Sequence, residues 1–294
     1  MGGIPLWRII VSSLPDTMAS RSLTLVFPQW QGSGKQKYVY DGARLIAGLL
    51  PAGTPYEEVP VSLDDELSLE RGIWGYRQIS GQLSAAGQII GRAGPDKIFL
   101  VGGDCGTEVA PVSYLNQRYD GDLAVLWLDA HGDLNSPSTS VTHNFHGMPL
   151  RCLLGECEAS LLMQCFSTLR PSQVVMGGTR ELDPPEAEYL ERNGISVLTV
   201  SDLEAGAERV SRAIAATSSR HLYVHIDLDV LDSEKCPWGL CRTPDGIDVG
   251  VLMGLLRELK ARFDVVGVSI VELKPREGMD IRTLRELVNI AGDL

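Results

Sequence analysis

The chain has 294 residues, of which 44% are hydrophobic and 22% are charged, and its formal net charge is −12. This composition is typical of a globular protein and excludes disordered and fibrous classes, and the apolar runs are far shorter than the roughly 20 residues of a membrane-spanning helix. The negative charge disfavours nucleic acid and anionic membranes as partners and favours a small cationic molecule.

Residues 1–21 are predicted to be an N-terminal extension, because their apolar run is broken too early for a signal peptide. Residues 22–294 are predicted to form one domain, since no repeat or linker divides them. Six scattered cysteines without the spacing of a zinc ribbon favour a reducing cytoplasm.

Short β-branched runs then alternate with amphipathic helical patterns, which is typical of βαβ units. The predicted strands are Leu23–Phe27, Lys97–Gly102, Leu123–Asp129, Gln173–Gly177, Ser196–Val200, His221–Asp227 and Val265–Val271. The predicted helices are Tyr76–Ala93, Pro185–Arg192, Ala207–Ala216, Val251–Arg262 and Arg282–Ile290. Right-handed crossovers place helices on both faces of such a sheet. The sequence therefore predicts an α/β fold, a single-domain doubly wound parallel sheet that binds its ligand at the carboxyl ends of the strands.

Three of these strands end in acidic residues, within KIFLVGGDC (97–105), LAVLWLDAHGD (123–133) and HLYVHIDLDVLD (221–232). Side chains alternate faces in extended chain, so acids two residues apart point the same way. Adjacent strands lie about 4.8 Å apart, so their terminal side chains are expected to share one pocket. The expected pocket contains Cys105, Asp129, His131, Asp133, Asp227 and Asp229.

Carboxylates gathered in this way repel one another, and uncompensated burial would cost on the order of several kcal/mol each. Divalent cations relieve that repulsion, and an oxygen-rich set with one imidazole suits Mn²⁺. Two such ions about 3.5–4 Å apart would share a water and lower its pKa. The alternative is that these acids cap the following helices or lie in solvent at the sheet edge.

Six segments of the chain match the pattern of a known family: VGGDCG, LDAHGDLNSPSTSVTHNFHGMP, GGTRELDPPE, HIDLDVLD, RTP and IVELKP. Together they resemble the arginase (ureohydrolase) family, and the resemblance covers nearly the whole chain from about Ser22. The resemblance implies hydrolysis of L-arginine to L-ornithine and urea, with two Mn²⁺ ions. One ion would be held by Cys105, Asp129, Asp133 and Asp227, and the other by Asp129, His131, Asp227 and Asp229. It also implies a homo-oligomer, a trimer or a hexamer.

The resemblance further implies a site for a guanidino amino acid. The residues that would contact the substrate are Asn135, Ser140, Thr142 and Asn144 at the α-carboxylate, Asp183 and Glu186 at the α-amino group, Glu272 at the guanidinium, and Thr243 of the RTP motif. Asp133 would orient the nucleophile and His146 would shuttle a proton. From residue type alone, the loop residues are also ordinary turn formers, and Asp183 is an ordinary helix N-cap.

Two features depart from the family pattern. Cys105 stands where arginases usually have a metal-binding histidine, and soft sulfur predicts weaker Mn²⁺ binding at that position and a preference for zinc or iron. This leaves open Nω-hydroxy-L-arginine as the substrate, with hydroxyurea as product, and also a metal-poor homologue that binds arginine without turnover.

The second departure is the segment 233–244, which is two residues longer than the usual family turn and contains Cys236 and Cys241. The two thiols either form a bridge near the pocket or remain reduced as packing residues. Trp238, in the same segment, is a candidate to cover the substrate entrance.

Overall fold

The computed structural model describes residues 20–64 and 66–294, so most of the predicted extension 1–21 lies outside the described residues. The strands are β1 (Ser22–Phe27), β2 (Glu57–Glu58), β3 (Leu69–Glu70), β4 (Ile73–Trp74), β5 (Lys97–Gly102), β6 (Leu123–Leu128), β7 (Val174–Gly177), β8 (Ser196–Leu198), β9 (His221–Ile226) and β10 (Asp264–Ile270). Eight of them form one sheet in the order β2-β1-β5-β10-β9-β6-β7-β8, and each neighbouring pair is parallel. Strands β3 and β4 form a separate antiparallel pair.

Helices connect the strands of the main sheet. They are α1 (Tyr38–Leu49), α2 (Tyr76–Ala93), α3 (Val109–Arg118), α4 (Pro149–Leu153), α5 (Ala159–Leu162), α6 (Pro184–Asn193), α7 (Val200–Glu204), α8 (Ala207–Ala216), α9 (Val249–Arg262) and α10 (Ile281–Gly292). Short 3-10 helices cover Gln31–Ser33, Cys105–Glu108, Phe145–Gly147, Pro171–Gln173 and Leu228–Val230. None of the helices in the described part of the chain is long and apolar enough to span a membrane.

The sheet is buried on both faces. Along β5, Ile98 and Leu100 join one core cluster, which includes residues of α2 and α3, whereas Phe99 and Val101 join the other, with residues of α1, α9 and α10. A strand covered on both faces needs apolar side chains at every position, which is why these strands are continuous hydrophobic runs. The predicted α/β class and parallel sheet with helices on both faces are confirmed.

The predicted strands agree with the structure to within two residues at each end. The largest difference is at β8, which ends at Leu198 because the Thr199 side chain accepts a hydrogen bond from Asp202 N and starts α7. Helices α1, α3, α4, α5 and α7, and the two-residue strands β2, β3 and β4, were not among the predicted elements. Residues 109–116 of α3 are all buried, so this helix lacks the polar face that marks an amphipathic helix in a sequence.

Parallel pairing brings the carboxyl ends of β5, β10, β9, β6 and β7 to one edge of the sheet. The loops that leave this edge carry the sequence-predicted acids and Cys105. Their backbones are closely packed: a Cβ at Gly103 would lie 1.9 Å from the carbonyl oxygen of Gln29, so only glycine fits there. The sheet edge is therefore a rigid base for the side chains that extend from it.

Candidate active site

A cavity of about 510 Å³ opens at this edge of the sheet. Most of the sequence-predicted site residues line it. Its wall comprises Cys105, His131, Asp133, Asn135, Ser140, Thr142, His146, Gly147, Arg180, Glu181, Leu182, Asp183, Glu186, Asp227, Asp229, Cys241 and Glu272. The strands and loops thus bring one thiol, two histidines and a group of carboxylates to a single cavity.

The acids after β6 and β9 lie against each other at the base of the cavity, where Asp227 and Asp229 line it and Asp129 is fully buried behind them. Asp129 accepts a hydrogen bond of 2.7 Å from the backbone N–H of His131, and Asp227 accepts one of 2.7 Å from the N–H of Asp229. The ring Nδ1 of His131 lies 2.9 Å from Asp229 Oδ2 and 3.6 Å from Asp129 Oδ1. Backbone donors and one imidazole hold these carboxylates in fixed orientations.

Cys105 and Glu272 form the adjoining part of the floor. The Cys105 thiol donates to Asp227 Oδ2 at 3.2 Å, and the backbone N–H of Cys105 donates to Glu272 Oε1 at 3.2 Å. The same Glu272 oxygen lies 3.2 Å from Nδ1 of His146. Cys105 is 1% exposed and Glu272 is 2% exposed, so both functional groups are removed from bulk water.

Two of the site carboxylates are attached to unusual backbone. Asp133 has a φ of 53° and Glu272 a φ of 60°, both in the left-handed region that non-glycine residues rarely occupy. Such conformations persist only where the surroundings enforce them, and they cluster at functional sites. The backbone N–H of Glu272 donates to the Gly103 carbonyl at 2.7 Å, and this contact helps to hold the strained residue.

The carboxylates of the site are buried close together, so each one disfavours the negative charge of its neighbours. Burial, reinforced by Asp129, raises the pKa of Asp133 well above its usual range, and burial with Asp229 does the same to Asp227. Burial also raises the pKa of the Cys105 thiol. Asp129 is the exception: burial opposes its charged form, but the interactions with His131 and His225 together outweigh burial and lower its pKa. A cation placed here would relieve this repulsion.

The donor atoms present fit divalent metal ions. Three buried atoms in this region have no hydrogen-bond partner within the described chain: Asp133 Oδ2, His225 Nε2 and Glu272 Oε2. Four sets of possible ligand atoms, each within 4.8 Å of one another, overlap around them: Cys105–Asp129–Asp133–His225, Cys105–Asp227–Glu272, Asp129–Asp227–Asp229 and His131–Asp229–Cys241. Unpaired polar atoms within a nitrogen, oxygen and sulfur donor set are expected at a metal centre.

His225 belongs to this cluster and was not among the sequence-predicted site residues. Its ring is fully buried, stacks on Trp127 with centroids 3.7 Å apart, and has Nδ1 3.0 Å from Glu108 Oε1. Burial lowers the pKa of His225, but the charges of Glu108 and Asp129 outweigh that effect and raise it to about 9. The signal for His225 was its spacing, since it lies two residues before Asp227 and alternation gives both side chains the same direction.

The loop after Asp133 provides the opposite wall of the cavity. The amide of Asn135 donates to Asp183 Oδ2 at 2.8 Å, and the hydroxyls of Ser140 and Thr142 lie 3.4 Å apart. All four side chains line the cavity. The structure therefore brings together the residues predicted to contact the two ends of an amino acid backbone.

Glu186 has local partners for both carboxylate oxygens. One accepts from the backbone N–H of Leu134 and the other from that of Asp183, both at 2.9 Å, so that Asp183 and Glu186 form the capping box of α6. Burial raises the pKa of Glu186. Glu186 therefore joins the loop after Asp133 to α6.

Three sequence-predicted residues do not line the cavity: Asp129, which is fully buried beside His131, and Thr243 and Asn144, which lie in neighbouring loops. Thr243 is 3% exposed, and its carbonyl accepts a hydrogen bond of 2.9 Å from Arg180. The Asn144 side chain packs against Gly34, and its backbone N–H donates to Thr142 Oγ1 at 3.3 Å. In the structure both support neighbouring loops, and their proposed contacts with substrate stay predictions.

The long segment 233–244 folds over Asp229. Cys236 and Cys241 are both free thiols, which agrees with the reduced alternative and not with a bridge between them. Trp238 is 4% exposed and lies in the apolar core, so its predicted place over the entrance was wrong. Cys241 instead lines the cavity, near Asp229.

Arg180 holds this segment in place and was also missed by sequence reasoning. Its guanidinium donates to the carbonyls of Gly178, Asp229, Thr243 and Pro244 at 2.7–2.9 Å. Four carbonyl contacts fix the loop relative to β7 and to the acid after β9. The residue follows GGT in GGTRELDPPE, but the sequence alone does not show which carbonyls it would reach.

Comparisons with known proteins bear on what this cavity does. The model of the arginase family matches residues 56–294. An arginase from Staphylococcus aureus (strain MRSA252) is 31% identical over 198 residues, which are 66% of this chain and 65% of that protein, so the match spans just under two thirds of the relative.

Solved structures share the fold. The arginase of Entamoeba histolytica in complex with L-ornithine has a TM-score of 0.81 at 21% identity, and the alignment covers 94% of this chain and 99% of that chain. Formimidoylglutamase from Bacillus subtilis subsp. subtilis str. 168 has a TM-score of 0.69 at 17% identity, covering 92% and 84% respectively. Proteins of different named activity have this fold, so the fold by itself does not specify the substrate.

Proposed function

The chain belongs to the arginase family, and from that premise we propose that it hydrolyses the guanidino group of L-arginine to give L-ornithine and urea. The observation that carries the proposal is the arrangement of a single cavity. A carboxylate cluster lies on its floor, and Asn135 and Asp183 form a hydrogen-bonded pair on its wall. A cationic amino acid would extend from that pair to the floor.

Glu272 is proposed to receive the guanidinium. Its Oε1 is already engaged by Cys105 N and His146, whereas Oε2 has no hydrogen-bond partner within the described chain. Carboxylates bind the planar donors of a guanidinium through charge-assisted hydrogen bonds. The strained backbone of Glu272 would hold this acceptor in a fixed direction before substrate arrives.

Two divalent ions, with Mn²⁺ as the first candidate, are proposed to bind at the floor, where they would neutralise the acids and lower the pKa of a shared water. The first set of proposed ligands is Cys105, Asp129, Asp133 and Asp227, and the second is Asp129, His131, Asp227 and Asp229. The unpaired buried oxygen of Asp133 supports this assignment.

The chain's own residues would then direct the reaction. Asp133 orients a water molecule toward the guanidinium carbon and accepts its proton as the C–O bond forms. The C–N bond to the ornithine side chain breaks, and the leaving nitrogen takes a proton from Asp133 or His146. His146 suits this role because its Nδ1 lies 3.2 Å from Glu272 and the ring also lines the cavity.

Nω-hydroxy-L-arginine is the second candidate substrate, and Cys105 favours it. Cys105 offers a soft sulfur whose thiol pKa is raised by burial, so it would bind a hard ion such as Mn²⁺ more weakly than the usual imidazole does. A substrate with a better leaving group would demand less from the first metal position.

Initial rates on the two substrates test the proposal, with urea and hydroxyurea measured separately and Mn²⁺ either added or chelated. Faster metal-dependent release of urea from L-arginine supports the first candidate, and a faster rate on the hydroxylated substrate replaces it with the second. Binding of L-arginine without either product would support the non-catalytic alternative.

A cytoplasmic location and a trimeric or hexameric assembly remain proposals. Both follow from the composition and the family resemblance, and neither is visible in a single chain. Light scattering on the purified protein measures the oligomer directly, and a monomer at micromolar concentration would contradict the expected assembly.

A further inference from the structure

His225 is a buried histidine in which one ring nitrogen has a hydrogen-bond partner and the other has none within the described chain. Nδ1 lies 3.0 Å from Glu108 Oε1, while Nε2 has no hydrogen-bond partner within the described chain although the residue is fully buried. An ordinary core histidine satisfies both nitrogens, because an unpaired buried polar atom costs about 1–3 kcal/mol. The free nitrogen therefore needs a function.

The unpaired Nε2 of His225 points into the carboxylate cluster. Nε2 lies 3.7 Å from Asp129 Oδ2, which is too long for a hydrogen bond. Ligand atoms of His225, Cys105, Asp129 and Asp133 all lie within 4.8 Å of one another. Two donors bound to the same ion at about 2.0–2.3 Å are separated by about 3–3.7 Å in a tetrahedral site. The 3.7 Å between His225 Nε2 and Asp129 Oδ2 is therefore compatible with a shared metal.

The surroundings of the ring match those of a metal-binding histidine. Such residues usually donate their second N–H to a carboxylate, which fixes the tautomer and the orientation of the ring. Here Glu108 is that carboxylate, and its other oxygen accepts a hydrogen bond of 2.7 Å from Tyr223. The stacked Trp127 ring, with an interplanar angle of 23°, restricts rotation of the imidazole.

We propose that His225 is a ligand of the first metal position and supplies the imidazole that Cys105 does not. The inference rests on the proposed metal centre but goes beyond it, because it changes the ligand set. In this protein the nitrogen ligand comes from strand β9 rather than from the loop after β5. The resulting donors are Cys105, Asp129, Asp133 and His225, a mixed set that suits zinc, iron or cobalt better than an all-oxygen set would.

Cobalt(II) titration of the metal-stripped, full-length protein tests the proposal. Elemental analysis counts the bound ions. The thiolate-to-cobalt absorbance band that disappears in Cys105→Ser is assigned to the first metal position, and its intensity then reports cobalt bound there. His225→Gln is expected to weaken cobalt binding at that band by at least about 10–100-fold, the range seen when only the support of a ligand is lost. The matched control is His221→Gln, on the same strand, whose ring stacks on Tyr119 away from the site.

The outcomes separate this inference from the proposed function. A His225→Gln titration that superimposes on the wild type, with two ions bound, overturns the inference and leaves the metal centre intact. Wild-type protein that binds no cobalt overturns the metal centre itself. Wild-type protein that binds only one cobalt ion also overturns the inference. In that case the first metal position is unfilled, as it would be if His225 stayed protonated beside Asp129.

A second measurement needs no substitution, in case the His225→Gln chain does not fold. In proton spectra of the cobalt-loaded wild type, the Nδ1–H of a ligand histidine is shifted far outside the normal range. Buried and bonded to Glu108, the His225 proton is expected to exchange slowly with D₂O, unlike that of the partly exposed His131. If every shifted N–H exchanges quickly, His225 is not a ligand.

Discussion

Replacing Glu272 with glutamine separates catalysis from stability, because the two should change in opposite directions. The substitution keeps the shape of a side chain that is 2% exposed but removes the charge proposed to bind the guanidinium. Hydrogen bonds to charged groups contribute about 1.5–3 kcal/mol each, and we expect a net loss of about 2–4 kcal/mol. Since each 1.4 kcal/mol is a factor of ten, kcat/KM should fall by roughly 30- to 700-fold.

The same change should not destabilise the fold. The charge of Glu272 contributes to raising the pKa of both Asp104 and Asp227, so removing it relieves repulsion among buried acids. We therefore expect the variant to melt at or above the wild-type temperature in the presence of a chelator, the usual trade between stability and function.

Initial rates of urea release, with thermal unfolding in parallel, provide both numbers. Glu286→Gln is the matched control, since this glutamate pairs with Arg257 on the surface of α10 and should leave the rates unchanged. A folded Glu272→Gln enzyme whose kcat/KM stays within threefold of wild type would refute the proposed guanidinium contact.

Three further predictions follow from the geometry. Saturating a chelated sample with metal at 100 times the dissociation constant should stabilise it by about 2.7 kcal/mol; an unchanged melting temperature in a metal titration would speak against tight binding. Asp183→Asn keeps the oxygen that caps α6 and faces Asn135 but loses the charge for an α-amino group, so KM should rise about tenfold at constant stability, whereas Asp183→Ala should also lose about 1 kcal/mol; equal KM values for wild type and Asp183→Asn would exclude the contact. Gly239→Ala places a Cβ 2.8 Å from the backbone N and Cα of Asp229 and 2.7 Å from its Cβ, so we expect a loss of about 1–3 kcal/mol in a denaturant titration and weaker metal binding; a fully stable variant that still binds its full complement of metal would show that the loop adapts.

The strands and the location of the site were predictable because both depend on local patterns. Strands buried on both faces are apolar at every position, and their acidic ends identify the edge of a parallel sheet where side chains gather. Cys105 and Asp227 accordingly line the cavity together, and Asp129 lies buried next to them. Alternation along each strand was sufficient to predict their shared direction.

The rest depended on contacts between distant segments. The role of His225 depends on Glu108, which is 117 positions away in sequence, and on a ring stack with Trp127. Helix α3 was missed because it is buried all round, so its sequence has no polar stripe. Trp238 was misplaced because a tryptophan in a long loop fits a cover for the entrance and a core residue equally well, and only packing decides between them.

The central claim is that the acids at the sheet edge are held together by divalent ions. Anomalous diffraction from crystals soaked in Mn²⁺ tests it most directly, since it locates the metal without reference to activity. We expect two peaks in the cavity, one beside Cys105 and Asp133 and the other beside His131 and Asp229. An absence of anomalous density at this edge in fully soaked crystals would contradict the account.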